Sequence, residues 1–176
     1  MNLPDMKRWL PLGLILLGVA LGLYALFGAS DEDRIRERLD QLADAVRVDD
    51  GERNPIVRHG RIRQEFAEIF TKEASVVAPE IGEGLHGRDA LSAAATQVAT
   101  VYQSAHVSWG GVAIRIEPGG LGAEVAATAT ITGSRHGHPL RRDDRSVKLR
   151  LEEIDGDWKI LSATVERGSG PDLNDL

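Results

Sequence analysis

Asp144–Arg167 reads DRSVKLRLEEIDGDWKILSATVER, two mixed apolar and charged runs on either side of Asp155-Gly156-Asp157. Turn formers between alternating runs predict two antiparallel strands joined by a tight loop. Val147, Leu149 and Leu151 share one parity, and Lys148, Arg150 and Glu152 the other, so the hairpin should bury one face and wet the other. Beyond the turn Trp158 and Ile160 keep one parity, whereas Leu161, Ala163 and Val165 take the opposite one. A β-bulge, or a sheet with two partly buried faces, accounts for that change.

Upstream of the hairpin, Ala123–Ser134 alternates Val125, Ala127, Ala129 and Ile131 against Thr128, Thr130 and Thr132. His106–Glu117 changes parity between Val107/Trp109 and Val112/Ile114/Ile116 across Gly110-Gly111, which predicts a bulge there and a bent sheet. Pro118-Gly119-Gly120 makes the turn between these two strands, and Arg135–Pro139 is read as a loop that leads through 140–143 to the hairpin. Before them, Ala90–Tyr102 has an apolar side formed by Leu91, Ala94, Ala95, Val98, Val101 and Tyr102, with Asp89 at its start, the pattern of a helix lying close on a sheet. Ala74–Pro79 and part of Glu80–Leu85 read as short strands. Two further helices form a hairpin around 49–55: Asp31–Val48 with Ile35, Leu39, Leu42, Ala43 and Val46 in register, and Ile56–Thr71 with Ile62, Phe66, Ile69 and Phe70. Arg58, Arg61 and Arg63 are placed on the second helix's polar faces. Helices and strands are segregated, so the class is α+β.

The chain has 176 residues, no cysteine, and a net charge of -6. That length suits one domain with an appendage. The acidic balance argues against a nucleic-acid module, and the missing thiols exclude disulfides and cysteine chemistry. Trp9–Phe27 holds no charged side chain, follows Lys7-Arg8 and precedes an acidic stretch. Such a run is long enough to cross a bilayer as a helix and is oriented with its N-terminus inside. The expected organisation is therefore a cytoplasmic 1–8, a transmembrane helix at 9–27, a folded domain at 31–167 and a disordered tail at 168–176. The folded domain would stand on the outer side of a cytoplasmic membrane. A cleaved signal peptide cut near Gly28-Ala29-Ser30 is the alternative.

The order of elements resembles the nuclear transport factor 2-like superfamily and, within it, the SnoaL-like group. The resemblance runs over about 33–166 and rests on Gly84-Leu85-His86-Gly87-Arg88-Asp89-Ala90-Leu91, the long bent strands, and Asp155-Gly156-Asp157-Trp158-Lys159-Ile160. It implies a cone: a curved antiparallel sheet wrapped around three helices, with a pocket at the wide end. The superfamily includes isomerases, cyclases, dehydratases and modules that only bind or dimerise, so fold does not transmit function.

An isomerase or cyclase mechanism would need a carboxylate or histidine base on the concave face and a donor opposite it. The predicted inward parity holds only aliphatic residues. His86, Tyr102, His106 and Trp109 are the candidate pocket residues, with His86, His106 and Tyr102 the candidates for catalysis if the domain is an enzyme. No catalytic pair of the family maps onto the chain, and a non-catalytic binding or assembly module is the expected role. His136 and His138 flank Gly137 but lack further metal ligands, and no motif calls for a metal or a cofactor. Arg135, Arg141, Arg142 and Arg145 make a basic cluster offset by Asp143 and Asp144, facing solvent, an acidic partner or phospholipid. The expected partners are the membrane through 9–27, a second copy or an envelope protein on the outer sheet face (Thr128, Thr130, Lys148, Arg150, Glu152), and a small apolar ligand.

Overall fold

The computed structural model describes residues 30–49 and 54–168. The expected transmembrane segment at 9–27 and all but the first residue of the expected tail lie outside those residues. Among the described residues no helix is long and apolar enough to cross a membrane.

Among the described residues three helices and six strands follow one another as α1 (Asp31–Val46), α2 (Pro55–Ile69), β1 (Phe70–Ala78), β2 (Ile81–His86), α3 (Arg88–Val101), β3 (Tyr102–Ile116), β4 (Gly122–Arg135), β5 (Arg141–Ile154) and β6 (Asp157–Arg167). One sheet runs in the order β2-β1-β6-β5-β4-β3. Its last four strands are the antiparallel meander read from the sequence, while β1 joins β6 in parallel.

Local chemistry sets each boundary. At the start of α1, Ser30 Oγ accepts the Asp33 amide at 3.1 Å, and the Asp33 carboxylate accepts the Ser30 amide at 3.3 Å, a reciprocal cap. Asn54 caps α2 by accepting the amides of Ile56 and Val57, with Pro55 in the first turn. That helix ends two residues before the expected Thr71, because Phe70 and Thr71 already belong to β1, with Phe70 paired to Ile160. Tyr102 likewise opens β3 instead of closing α3.

The bulge expected at Gly110-Gly111 is present, and of the two alternatives for the final strand the structure has the bulge. Gly110 faces Thr128 and Ala113 faces Ala126, so β3 carries one extra residue, with Gly111 at φ +58. Only glycine adopts that left-handed geometry without steric cost. In β6, Arg150 faces Ser162 and Leu151 faces Ile160, which makes Leu161 the inserted residue. Trp158, Ile160, Ala163 and Val165 therefore share the inner face despite their mixed parity. The β5–β6 turn has left-handed φ at both Asp155 and Gly156, which matches the twist of a two-residue hairpin.

One expectation is overturned at α2. Arg58 does not lie on a solvated face; it is 1% exposed, and its guanidinium donates to Arg47 O at 3.0 Å and Val46 O at 3.5 Å. A cation thereby closes the carbonyl end of α1, where the helix dipole is negative. The next residue, Val48, then exchanges both backbone hydrogen bonds with Ala105 and ties the α1 exit to edge strand β3.

Candidate functional site

The concave face of the sheet changes character along two paired strands. On β4 it carries Ala123, Val125, Ala127, Ala129, Ile131, Gly133 and Arg135; on β5 the facing residues are Leu151, Leu149, Val147, Arg145, Asp143 and Arg141. At one end this face is fully packed: Val125, Leu151, Trp158 and Ile160 on the sheet and Ile35, Leu39 and Ile62 on the helices are all at most 1% exposed. That end is closed.

Further along, the packing residues become small. Ala94 and Ala95 of α3 face Ala129 and Ala163 of the sheet across a cavity of about 290 Å³. Its wall is otherwise made of larger apolar side chains, among them Leu42, Phe66, Val107 and Trp109. Trp109 is fixed there by its indole N–H, which donates to Leu39 O of α1 at 2.7 Å. Among the described residues Arg145 is the one charged side chain in that wall.

Beyond Arg145 lies an outer recess of about 650 Å³, bordered by Tyr102, Gly133, Arg135, His138, Arg141 and Asp143 among others. It adjoins the apolar cavity, and Val98, Ile131, Arg145 and Val165 line both. Arg145 is 14% exposed and sits between two carboxylates, with Glu80 at 2.8 Å and Asp143 at 2.6 Å; Arg167 approaches Glu80 from the other side at 3.6 Å. The hydrogen bond that Arg145 donates to the Asp143 carboxylate raises the Arg145 pKa above its ordinary value. Glu80 is held below the ordinary carboxylate value, first by a backbone hydrogen bond and then by Arg145 and Arg167. Arg145 is therefore a permanent cation, and Glu80 a weakened base.

Of the four residues singled out in the sequence, two reach this space. Trp109 lines the apolar cavity and Tyr102 the recess. The other two do not: His86 and His106 are exposed and line neither. His106 has the opposite parity to Val107 and Trp109, so it points to the outer face, and His86 closes edge strand β2. The glycines around His86 serve the backbone, Gly84 at φ +80 and Gly87 at φ +85 where α3 begins. His138 borders the recess, whereas His136 is exposed. Among the described residues no group of three acidic, histidine or cysteine side chains is placed to hold a metal.

In the sequence Arg141 and Arg145 belong to a surface basic cluster that Asp143 offsets, and the structure places all three residues at the recess. The odd-numbered alternation of Leu151, Leu149 and Val147 continues through them without a break. Positions 141–143, expected as a connection to the hairpin, are already strand.

Residues 56–164 match the family model of the SnoaL-like domain. A comparison with curated proteins finds no match. Three similar solved structures are a candidate scytalone dehydratase from Novosphingobium aromaticivorans, a candidate calcium/calmodulin-dependent protein kinase II association domain from Xanthomonas campestris, and a nuclear transport factor 2-like superfamily protein from Salmonella enterica. They are 14%, 11% and 12% identical, with TM-scores of 0.63, 0.62 and 0.61. The aligned regions cover 81%, 79% and 81% of this chain and 87%, 89% and 94% of the respective partners. At such identities the likeness establishes the α+β cone with its curved sheet and three helices, and no activity.

Proposed function

The chain belongs to the SnoaL-like domain family, and from that premise we propose that it is a non-catalytic binding module whose cone holds a small apolar molecule. The observation that carries this reading is the wall of the inner cavity, which among the described residues is aliphatic and aromatic apart from Arg145. Ligand pockets combine an apolar lining with a few placed polar groups, and an arginine held charged by two carboxylates is a poor general acid or base. The apolar run Trp9–Phe27 supports tethering of this module to a cytoplasmic membrane, with the domain outside the cytoplasm. Tethering would raise its effective concentration near a membrane partner, for which the outer sheet face around Lys148 and Arg150 is the contact we favour.

Native mass spectrometry of the full-length protein purified from its own cells tests the binding role. A stoichiometric apolar adduct is the expected result; a protein that stays at its bare mass even when offered apolar ligands would overturn it.

A second reading, a SnoaL-like enzyme of the isomerase, cyclase or dehydratase type, is favoured by one feature. Tyr102, His138 and Asp143 border the same recess, so a base and two donors surround one space. The adduct separates the two readings. A molecule returned unchanged after incubation with fresh protein supports binding, whereas conversion that disappears in Asp143→Asn supports catalysis.

A further inference from the structure

Resting on the binding reading above, we propose that the open end selects an amphiphilic carboxylate, with its anionic head on Arg135 and Arg141 and its apolar body in the cone. The inner cavity and the outer recess adjoin and share Val98, Ile131, Arg145 and Val165; the first is lined almost wholly by apolar side chains, and the second carries Arg135 and Arg141. Both carboxylates at the opening are already engaged, Asp143 by Arg145 and Glu80 by Arg145 and Arg167. Arg135 and Arg141 differ. Arg135 lies 5.1 Å above the Tyr102 ring and donates to the Tyr102 hydroxyl at 3.3 Å. Among the described residues, neither Arg135 nor Arg141 is paired with a carboxylate.

The backbone brings these two arginines to the same place. Arg135 pairs across β3–β4 with Tyr102, and Arg141 pairs across β4–β5 with Gly133. Between them Gly133 has no side chain, and a Cβ there would come within 2.9 Å of Ser104 O and 3.3 Å of the Tyr102 ring. A shallow floor thus separates two guanidinium groups. Two apolar side chains that line the recess are also exposed, Val98 at 41% and Ile131 at 37%. In a chain of net charge -6, two uncompensated guanidiniums at an apolar opening are a local inversion of charge. Guanidinium recognises carboxylate through a planar, two-point hydrogen bond, and an aliphatic tail leaving that head would pass Val98 and Ile131 into the cavity.

Titration of the full-length protein with decanoate and, separately, with decan-1-ol by isothermal calorimetry in one fixed detergent tests this assignment. Decanoate should bind about 10-fold or more tightly than the alcohol, the scale of one good charged contact. In Arg135→Gln/Arg141→Gln that advantage should vanish while binding of the alcohol is unchanged. Both residues are exposed, so the variant is expected to fold, and an unchanged denaturation midpoint verifies it. Equal binding of the two ligands, or an advantage that survives the double substitution, overturns the head-group assignment and leaves the apolar cavity standing. Binding of neither ligand removes the binding reading itself.

Discussion

The two ends of β4 and β5 share one alternation and one register, yet they do different things. At the closed end the inner positions are Val125 and Leu151, covered by α1 and α2 and sealed by Trp158. At the open end the same parity continues as Ala129, Ile131 and Gly133 opposite Arg145, Asp143 and Arg141, where α3 contributes Ala94 and Ala95 and leaves space. What separates core from site is the size of the residues facing the strand, since the strand pattern itself does not change. The closed end should accordingly govern stability and the open end ligand selection.

The sharpest way to break this contrast is to truncate the closed end. Trp158→Ala should cost about 4 kcal/mol, as expected for a large side chain removed from a filled core, measured as a shift in urea denaturation at constant slope. Arg58→Met should come next, at about 2 kcal/mol, because the last carbonyls of α1 lose a buried charged donor. A loss below about 0.5 kcal/mol would mean that water replaces the guanidinium without penalty.

How much of this was legible beforehand follows the same division. The closed end was readable because burial writes itself as periodicity: Val147, Leu149 and Leu151 on one side, and parity breaks at Gly110-Gly111 and Leu161 where the bulges lie. Arg58 was not, since a buried arginine that closes another helix has the same local sequence signature as a surface one. The open end was legible only in part. Trp109 follows from alternation, but His86 and His106 were chosen for their chemistry, and their orientation depends on strand ends that composition does not set. Arg145 and Asp143 were legible as part of a charged cluster but not as the border of a recess, because that depends on strand β5 beginning at Arg141 and not at Asp144.

Smaller effects sharpen the comparison from the open side. Val107→Ala, in a wall that already borders space, should cost at most about 1 kcal/mol, well below truncation at the closed end. If it costs as much as Trp158→Ala, the cavity is occupied by packed structure and the contrast fails. The smallest effect is pH dependence at the opening. Because the Glu80 carboxyl is held below its ordinary value of 4.5, its contribution to stability is complete above that value and is lost as pH falls through the lowered one. Between pH 7 and 5 the wild type and Glu80→Gln should show parallel stability profiles, with the wild type falling more steeply below pH 4.5. Parallel profiles down to pH 3 would mean that the Arg145 and Arg167 contacts contribute nothing through Glu80.

The most direct test of the central claim is to fill the open end from α3 and measure what the cone still holds. Ala95 lines the cavity without being fully buried, so Ala95→Phe places a ring in the space with little strain. Full-length wild-type protein titrated with the neutral fluorophore N-phenyl-1-naphthylamine should show saturable, single-site enhancement. Ala95→Phe should abolish the saturable component while its urea midpoint stays within about 1 kcal/mol of wild type. Saturable binding that persists in a folded Ala95→Phe protein would contradict the account, because the ligand would then sit somewhere other than the cone.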